Sequence, residues 1–396
     1  MTSHQLQAVG LRTRGVAFQA LPPLSLYIHT PWCVRKCPYC DFNSHEARHT
    51  LPEKEYVVAL VRDLEMALPQ IWGRKVYTIF FGGGTPSLLS SEAVSEILRN
   101  VRMLLPLDMN AEITLEANPG TVEADKFAAF REAGVNRLSM GIQSFNDKHL
   151  KALGRIHSAD EAKRAIDIAQ QHFDNINLDL MYALPAQTLD EALSDVRTAL
   201  RFNPQHLSCY HLTLEPNTQF HHNPPVLPDD DASAEMQQHI EALLAAHGYE
   251  HYETSAFAQP RRCAKHNLNY WQFGDYLGIG AGAHSKLSFP DKVLRQARYK
   301  QPQAYMQQVA AGSPVQMENE VAVDALPFEF MMNALRLNEG FDSSLFGERT
   351  SLSLLSIQNE LQEAEQRGLL LRDHQRIAPT QLGQRFLNDL LGIFID

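Results

Sequence analysis

Three cysteines, Cys33, Cys37 and Cys40, fall within eight residues in the run CVRKCPYC, a C-x3-C-x2-C spacing. Thiols so placed can ligate three irons of a cubic 4Fe-4S cluster and leave the fourth iron open. An open iron can chelate the amino and carboxylate groups of S-adenosylmethionine (SAM) and pass it one electron, so the run is a candidate radical-SAM centre. Zinc is the main competitor, but structural zinc usually takes four ligands as two close pairs. His29 and His45 flank the run, whereas Cys209 and Cys263 belong to no C-x2-C pair. A disulfide framework fits poorly, since five cysteines is an odd number in a long chain. Cys209, in HLSCYHLTL, reads as a small buried hydrophobe on a strand, and Cys263 offers no argued role.

The elements that must position this chemistry begin at Leu24. Short β-branched or apolar runs alternate with helical patterns, which predicts parallel strands joined by crossover helices. Strands are expected at Leu24–Ile28, Val76–Phe81, Glu112–Glu116, Arg137–Ile142, Ile176–Leu180 and His206–Leu214, with helices near 53–67, 91–104, 123–133, 159–172 and 189–200. Six βα units fall short of a closed eight-fold barrel, so the expected architecture is an α/β partial (βα)6 barrel over 24–220. HTPWC, GGGTPS, EANPG, GIQSF, DLMYALP and EPNT each follow one of these strands. Active sites of parallel α/β folds lie at that edge, so the six loops predict a single site.

Residues 1–23 read as a loose, acid-poor lead-in that carries Arg12 and Arg14. A middle segment, 221–320, opens with the proline-rich and acidic HHNPPVLPDDD, continues with a helix near 231–247 and a strand at Tyr249–Thr254, and contains the aromatic and glycine-dense HNLNYWQFGDYLGIGAGAHS. From 321 to 396 the pattern changes to helices near 325–337 and 351–367, a hairpin at Leu369–Arg372 and Gln375–Pro379, and a last helix at Thr380–Leu391. That is a winged-helix-like α+β unit.

The chain has 396 residues, 44% of them hydrophobic, enough for a large core and two or three domains. A net charge of -11 argues against a general attraction to nucleic acid and turns the C-terminal unit towards protein contacts. No apolar run approaches the ~20 residues of a membrane span, which leaves at most peripheral membrane contact. An oxygen-labile cluster and unpaired thiols point to a reducing compartment, the cytoplasm.

The glycine triplet Gly82-Gly83-Gly84, followed by Thr85, lets backbone approach a ligand without Cβ interference. A tight βα turn explains such a triplet equally well until it is taken with the cysteines. Glu116 and Asp179, at strand ends, can accept hydrogen bonds from ribose or ammonium groups, or alternatively cap a helix or anchor a turn. Gln143 can read a ribose hydroxyl, and Arg155 can pair with a carboxylate or stay solvated.

With the cysteine run, GGGTPS, LEANPG, GIQSF, LGRIH and NLDLMYALP in register, the chain resembles the oxygen-independent coproporphyrinogen III oxidase family, which includes haem chaperones as well as oxidases. The resemblance runs from about residue 24 to the C-terminus. It implies a cluster on Cys33, Cys37 and Cys40, and SAM on Tyr27, Gly83, Gly84, Thr85, Glu116, Gln143, Arg155 and Asp179. Two departures separate the branches. The oxidases continue to a fourth cysteine, where this sequence has Phe42, and they carry a longer N-terminal arm. The chaperone branch shares the phenylalanine and an HNxxYW motif, matched by His266, Asn267, Tyr270 and Trp271.

The motif offers an imidazole for haem iron beside aromatic surfaces that can stack on a porphyrin, and the resemblance makes His266 the expected haem ligand. Without it, a hydrogen-bonded structural histidine is the simpler reading; His211, His221, His222 and His284 are weaker ligand candidates. The resemblance implies transfer of haem to acceptors such as respiratory haem enzymes. The enzymatic alternative is oxidative decarboxylation of coproporphyrinogen III, and whether SAM is cleaved is left open. So are covalent haem attachment, the second axial ligand and the oligomeric state, a dimer being one option.

Overall fold

The computed structural model describes residues 15–47, 50–121 and 124–395. Most of the lead-in, with Arg12 and Arg14, and the first residue of the helix expected at 123–133 lie outside them. All six expected strands form, as Leu24–Thr30, Val76–Gly83, Leu107–Ala117, Arg137–Gln143, Ile176–Tyr182 and His206–His211, paired in that order and parallel throughout.

The crossover helices follow from local signals. In Ser91–Leu104 the buried residues Ala93, Val94, Ile97, Leu98 and Val101 recur along one stripe, and Ser90 Oγ accepts from the Ala93 amide at 3.1 Å. Ser158 with Glu161, and Thr188 with Glu191, form complete capping boxes that start Ala159–His172 and Leu189–Arg201. Leu98 is fully buried, so Leu98→Ala should cost about 2–5 kcal/mol.

The middle segment adds strands at both edges of this sheet. Asp275–Ile279, within the glycine-rich stretch, is a seventh parallel strand beside Leu24–Thr30, and His284–Phe289, Lys292–Arg298 and Val315–Glu320 extend it antiparallel. At the other edge Ala256–Ala258 pairs antiparallel with His206–His211, and Glu250–Glu253 follows it. The result is a twelve-stranded mixed sheet around a continuous parallel centre. The sequence reading missed Asp275–Ile279 because GDYLGI is short and glycine-bounded and its partner lies some 250 positions upstream.

The C-terminal unit has helices Leu326–Ala334, Ser343–Thr350 and Gln358–Gln366 and a small sheet in which Phe341–Asp342 and Leu370–Arg372 flank Arg376–Pro379. Phe330 packs edge-on against Phe341 and Phe346 in its core. The helix expected at 351–367 starts later, because Ser351 takes a left-handed conformation (φ 61°) that ends the unpredicted helix Ser343–Thr350. The last expected helix is broken at Phe386 into Gln381–Arg385 and Leu387–Gly392. Val16 is buried in this core, and the Phe18 amide donates to Pro290 O at 3.0 Å, tying the end of the lead-in to both units.

Candidate functional site

The period of two along each strand sends every second side chain to the concave face, and register aligns these into layers. The lowest layer holds Ser25, Thr78 and Glu112, the next Tyr27, Phe80, Thr114 and Arg137, and above it lie Glu116, Ser139 and Asn177. Gly141, Asp179 and Ser208 align one step higher. The interior is therefore polar, as a ligand-holding half-barrel requires.

The cysteine loop leaves the end of the first strand and is tied off by a two-residue parallel ladder between Trp32–Cys33 and His45–Glu46. Inside it the Cys40 amide donates to Cys37 O at 3.2 Å. The three thiols are unbonded to one another and line one cavity of about 500 Å³. Among the described residues no three His, Cys, Asp or Glu side chains close around a single metal ion. A cubane binds each thiolate through a different iron, so sulfurs spread around a cavity fit a 4Fe-4S cluster better than zinc. Burial pushes the Cys33 and Cys40 thiols up, so loading a cluster must release their protons.

The glycine run is stitched to this loop. The amides of Gly84 and Thr85 donate to Thr30 O and Trp32 O, each at 2.7 Å. Gly83 has φ 109°, and a Cβ there would enter the His29 ring; a Cβ on Gly84 would meet Trp32 O. The turn and the close approach are thus both present, the approach being to protein backbone as well as to the cavity.

Gly83, Gly84, Thr85, Glu116, Gln143, Arg155 and Asp179 all line the thiol cavity. Tyr27 faces an adjoining cavity of about 800 Å³ that shares Cys40, Asp41, Phe42, Ser44, Gly83 and Glu116 with it. Gln143 holds a left-handed backbone (φ 66°), rare outside glycine and common where a side chain must be aimed at a ligand. Arg155 donates to Gly141 O at 2.7 Å and reaches Cys37 Sγ at 3.7 Å. Burial, followed by the neighbouring Asp179, raises Glu116 to about 8, although the Gly83 amide opposes the shift. Burial raises Asp179 as well, against hydrogen bonds from Asn177 at 2.8 Å and Ser139 at 3.2 Å. Neither carboxyl caps a helix.

His266 lies on the short helix Lys265–Trp271, which packs on the concave face at the lowest layer. Its amide donates to Glu112 at 3.1 Å and its Nδ1 is 2.7 Å from Thr78 Oγ1. Phe80 stacks on the ring at 5.0 Å and Tyr270 meets its edge at 5.1 Å. The ring is 2% exposed, with Nε2 unpartnered among the described residues. Cys209 is buried on its strand, and Cys263 is half-buried at the margin of a small apolar cluster. His211 lines the thiol cavity, and His284 the adjoining one.

The sequence reading missed Arg137, Ser139, Asn177 and Ser208, which also line the thiol cavity. For Ser139 and Asn177 the signal was available: polar residues recur every second position through otherwise apolar strands, in RLSMGIQ and INLDLMY.

A parallel half-barrel with three thiols on its first loop and a glycine run on its second defines a radical SAM protein. Residues 27–199 match the model of the radical SAM superfamily, and residues 321–386 match the HemN C-terminal domain. The solved coproporphyrinogen III oxidase HemN of Escherichia coli, described as a radical SAM enzyme, superposes with a TM-score of 0.80 at 25% identity, over 94% of this chain and 90% of that one. The chain belongs to the HemW family: it is 51% identical to the heme chaperone HemW of Escherichia coli K12 over 95% of this chain and 99% of that protein. It is 34% identical to the heme chaperone HemW of Bacillus subtilis 168 over 94% of this chain and 99% of that protein. Membership of this superfamily implies a 4Fe-4S cluster and SAM. No helix among the described residues is long and apolar enough to cross a membrane.

Proposed function

We propose that this chain is a haem chaperone, which binds haem as cargo and passes it to acceptor haem proteins, respiratory enzymes among them. Cys33, Cys37 and Cys40 would hold the cluster, and Tyr27, Gly83, Gly84, Thr85, Glu116, Gln143, Arg155 and Asp179 would hold SAM. Together these groups supply a one-electron source when bound.

The tautomer of His266 carries the reading. Thr78 donates its hydroxyl to Ser25 Oγ at 2.7 Å, so Nδ1–H of His266 is the donor to Thr78 Oγ1, and Nε2 is left as a bare lone pair. Burial, with Arg137 adding to it, holds the ring neutral by lowering its pKa to about 3. A neutral imidazole fixed through one nitrogen and open at the other is the form that ligates iron. Because His266 is 2% exposed, iron reaches Nε2 only after the packing around the ring opens, so loading and release are coupled to local opening of this helix.

Phe42, 60% exposed on the wall shared by the two cavities, offers no thiol where the oxidases have their fourth cysteine, which supports the chaperone reading over the oxidase. We place the protein in the cytoplasm, with membrane contact only through its acceptors. The test is anaerobic haem titration of cluster-loaded protein beside His266→Ala, with parallel assays of coproporphyrinogen III turnover and of haem transfer to an apo-acceptor. Stoichiometric binding that weakens in the variant, with transfer and no turnover, is expected; turnover without specific haem binding would establish the oxidase instead.

A further inference from the structure

Three lysine or arginine side chains are buried among the described residues, and two are paired. Arg298 meets Asp63 at 3.1 Å and Lys286 meets Asp275 at 3.0 Å. The third, Arg137, is 2% exposed, and its Nε has no hydrogen-bond partner among the described residues. A buried guanidinium left without a hydrogen-bonding anion is costly, and proteins retain one where an anion arrives.

Arg137 also lines the thiol cavity. It acts electrostatically on His266 below and on His206, Glu116 and Asp179 above, so its field spans the interior. Burial raises both carboxyls, with Asp179 adding to the shift of Glu116, and neither closes on the guanidinium. The rim by the cysteine loop has its own cation, Arg155, 3.7 Å from Cys37 Sγ. Arg137 lies two strand positions below Ser139 and its layer neighbour Glu116, on the level of Phe80, whose ring stacks on His266. A second cation at this depth suits an anion other than one held at the rim.

We infer that Arg137 is a carboxylate-binding residue inside the half-barrel and that it receives a propionate of the tetrapyrrole whose iron is taken by His266. The inference rests on the haem-chaperone reading and adds an anchor for the acidic edge of the macrocycle. The guanidinium would donate two parallel hydrogen bonds to the propionate, the geometry in which arginine outperforms lysine.

The experiment uses the full chain with its cluster loaded and three probes: haem, haem dimethyl ester and SAM. The wild type is compared with Arg137→Gln and Arg137→Lys. Wild type should prefer haem to its diester, and Arg137→Gln should lose haem affinity by about 10- to 100-fold while diester affinity stays within about twofold. Arg137→Lys should recover part of the preference. Equal loss for haem and diester would make Arg137 a structural counter-charge and overturn the inference, and loss of SAM affinity alone would assign the anion to SAM. Absence of haem binding by the wild type would instead overturn the chaperone reading, and this inference with it.

Discussion

Arg155 Nη1 stands 3.7 Å from Cys37 Sγ, while the other terminal nitrogen of the same guanidinium donates to Gly141 O at 2.7 Å. One residue thereby links the cysteine loop to the strand Arg137–Gln143. A fixed positive charge beside a cluster thiolate favours the more negative, reduced cluster. Arg155→Met should lower the potential of the reconstituted cluster by on the order of tens of millivolts, read by redox titration with electron paramagnetic resonance. An unchanged potential would mean that the contact serves only to hold Gly141.

Glu116 gives a pH dependence with a definite sign. Its carboxyl is raised to about 8 when folded, mainly by burial and then by Asp179. Between the ordinary carboxylate range and pH 8 the folded chain therefore holds a proton that the unfolded chain has lost, and stability falls as pH rises through this window. His206 and His266, kept neutral by burial, act oppositely but only below about pH 6.5. From pH 6.5 to 8 the wild type should lose stability at up to about 1.4 kcal/mol per pH unit, and Glu116→Gln should flatten the curve. Urea denaturation of both proteins across that range measures it; parallel curves would show that Glu116 is ionised throughout.

Legibility in the sequence followed the range of the cause. The helix Ser91–Leu104 formed where expected, because its apolar stripe and its cap are written within a few residues. The loops at the strand ends, with their cysteines and glycines, were readable because parallel strands send both to one edge. Asp275–Ile279 was hidden because its strand identity comes from pairing with Leu24–Thr30 across the chain. Arg137 was hidden for a different reason: an arginine opening a strand normally reads as solvated, and only the register that turns it inward with Ser139 and Gln143 shows otherwise. The setting of His266 is likewise tertiary, since Thr78 lies 188 positions away.

Gly83 and Gly84 should resist even alanine. Gly83 has φ 109°, where a side chain is strained, and both added methyls would collide, with the His29 ring and with Trp32 O respectively. Gly83→Ala is expected to cost about 1–3 kcal/mol for its backbone alone and to loosen the cysteine loop. Chemical denaturation, with iron and sulfide content after reconstitution, checks both effects. Normal stability with a full cluster would show that the loop relaxes around the methyl.

Thr78 should govern haem through His266 without touching haem itself. Its hydroxyl donates to Ser25 Oγ and its oxygen accepts from Nδ1–H, which leaves Nε2 unprotonated. In Thr78→Val the acceptor is gone, and the ring is free to place its proton on Nε2 or to turn. Partners that fix a metal-binding histidine are worth about 10- to 100-fold in metal affinity, so haem binding should weaken by that order while cluster content and SAM binding hold. Thr78→Ser keeps the hydroxyl and should restore the affinity, which separates loss of the hydrogen bond from simple repacking of the layer. If valine and serine bind haem alike, the iron is not taken by His266 Nε2, and the ligand must be sought among the histidines that line the two cavities, His29, His45, His211 and His284.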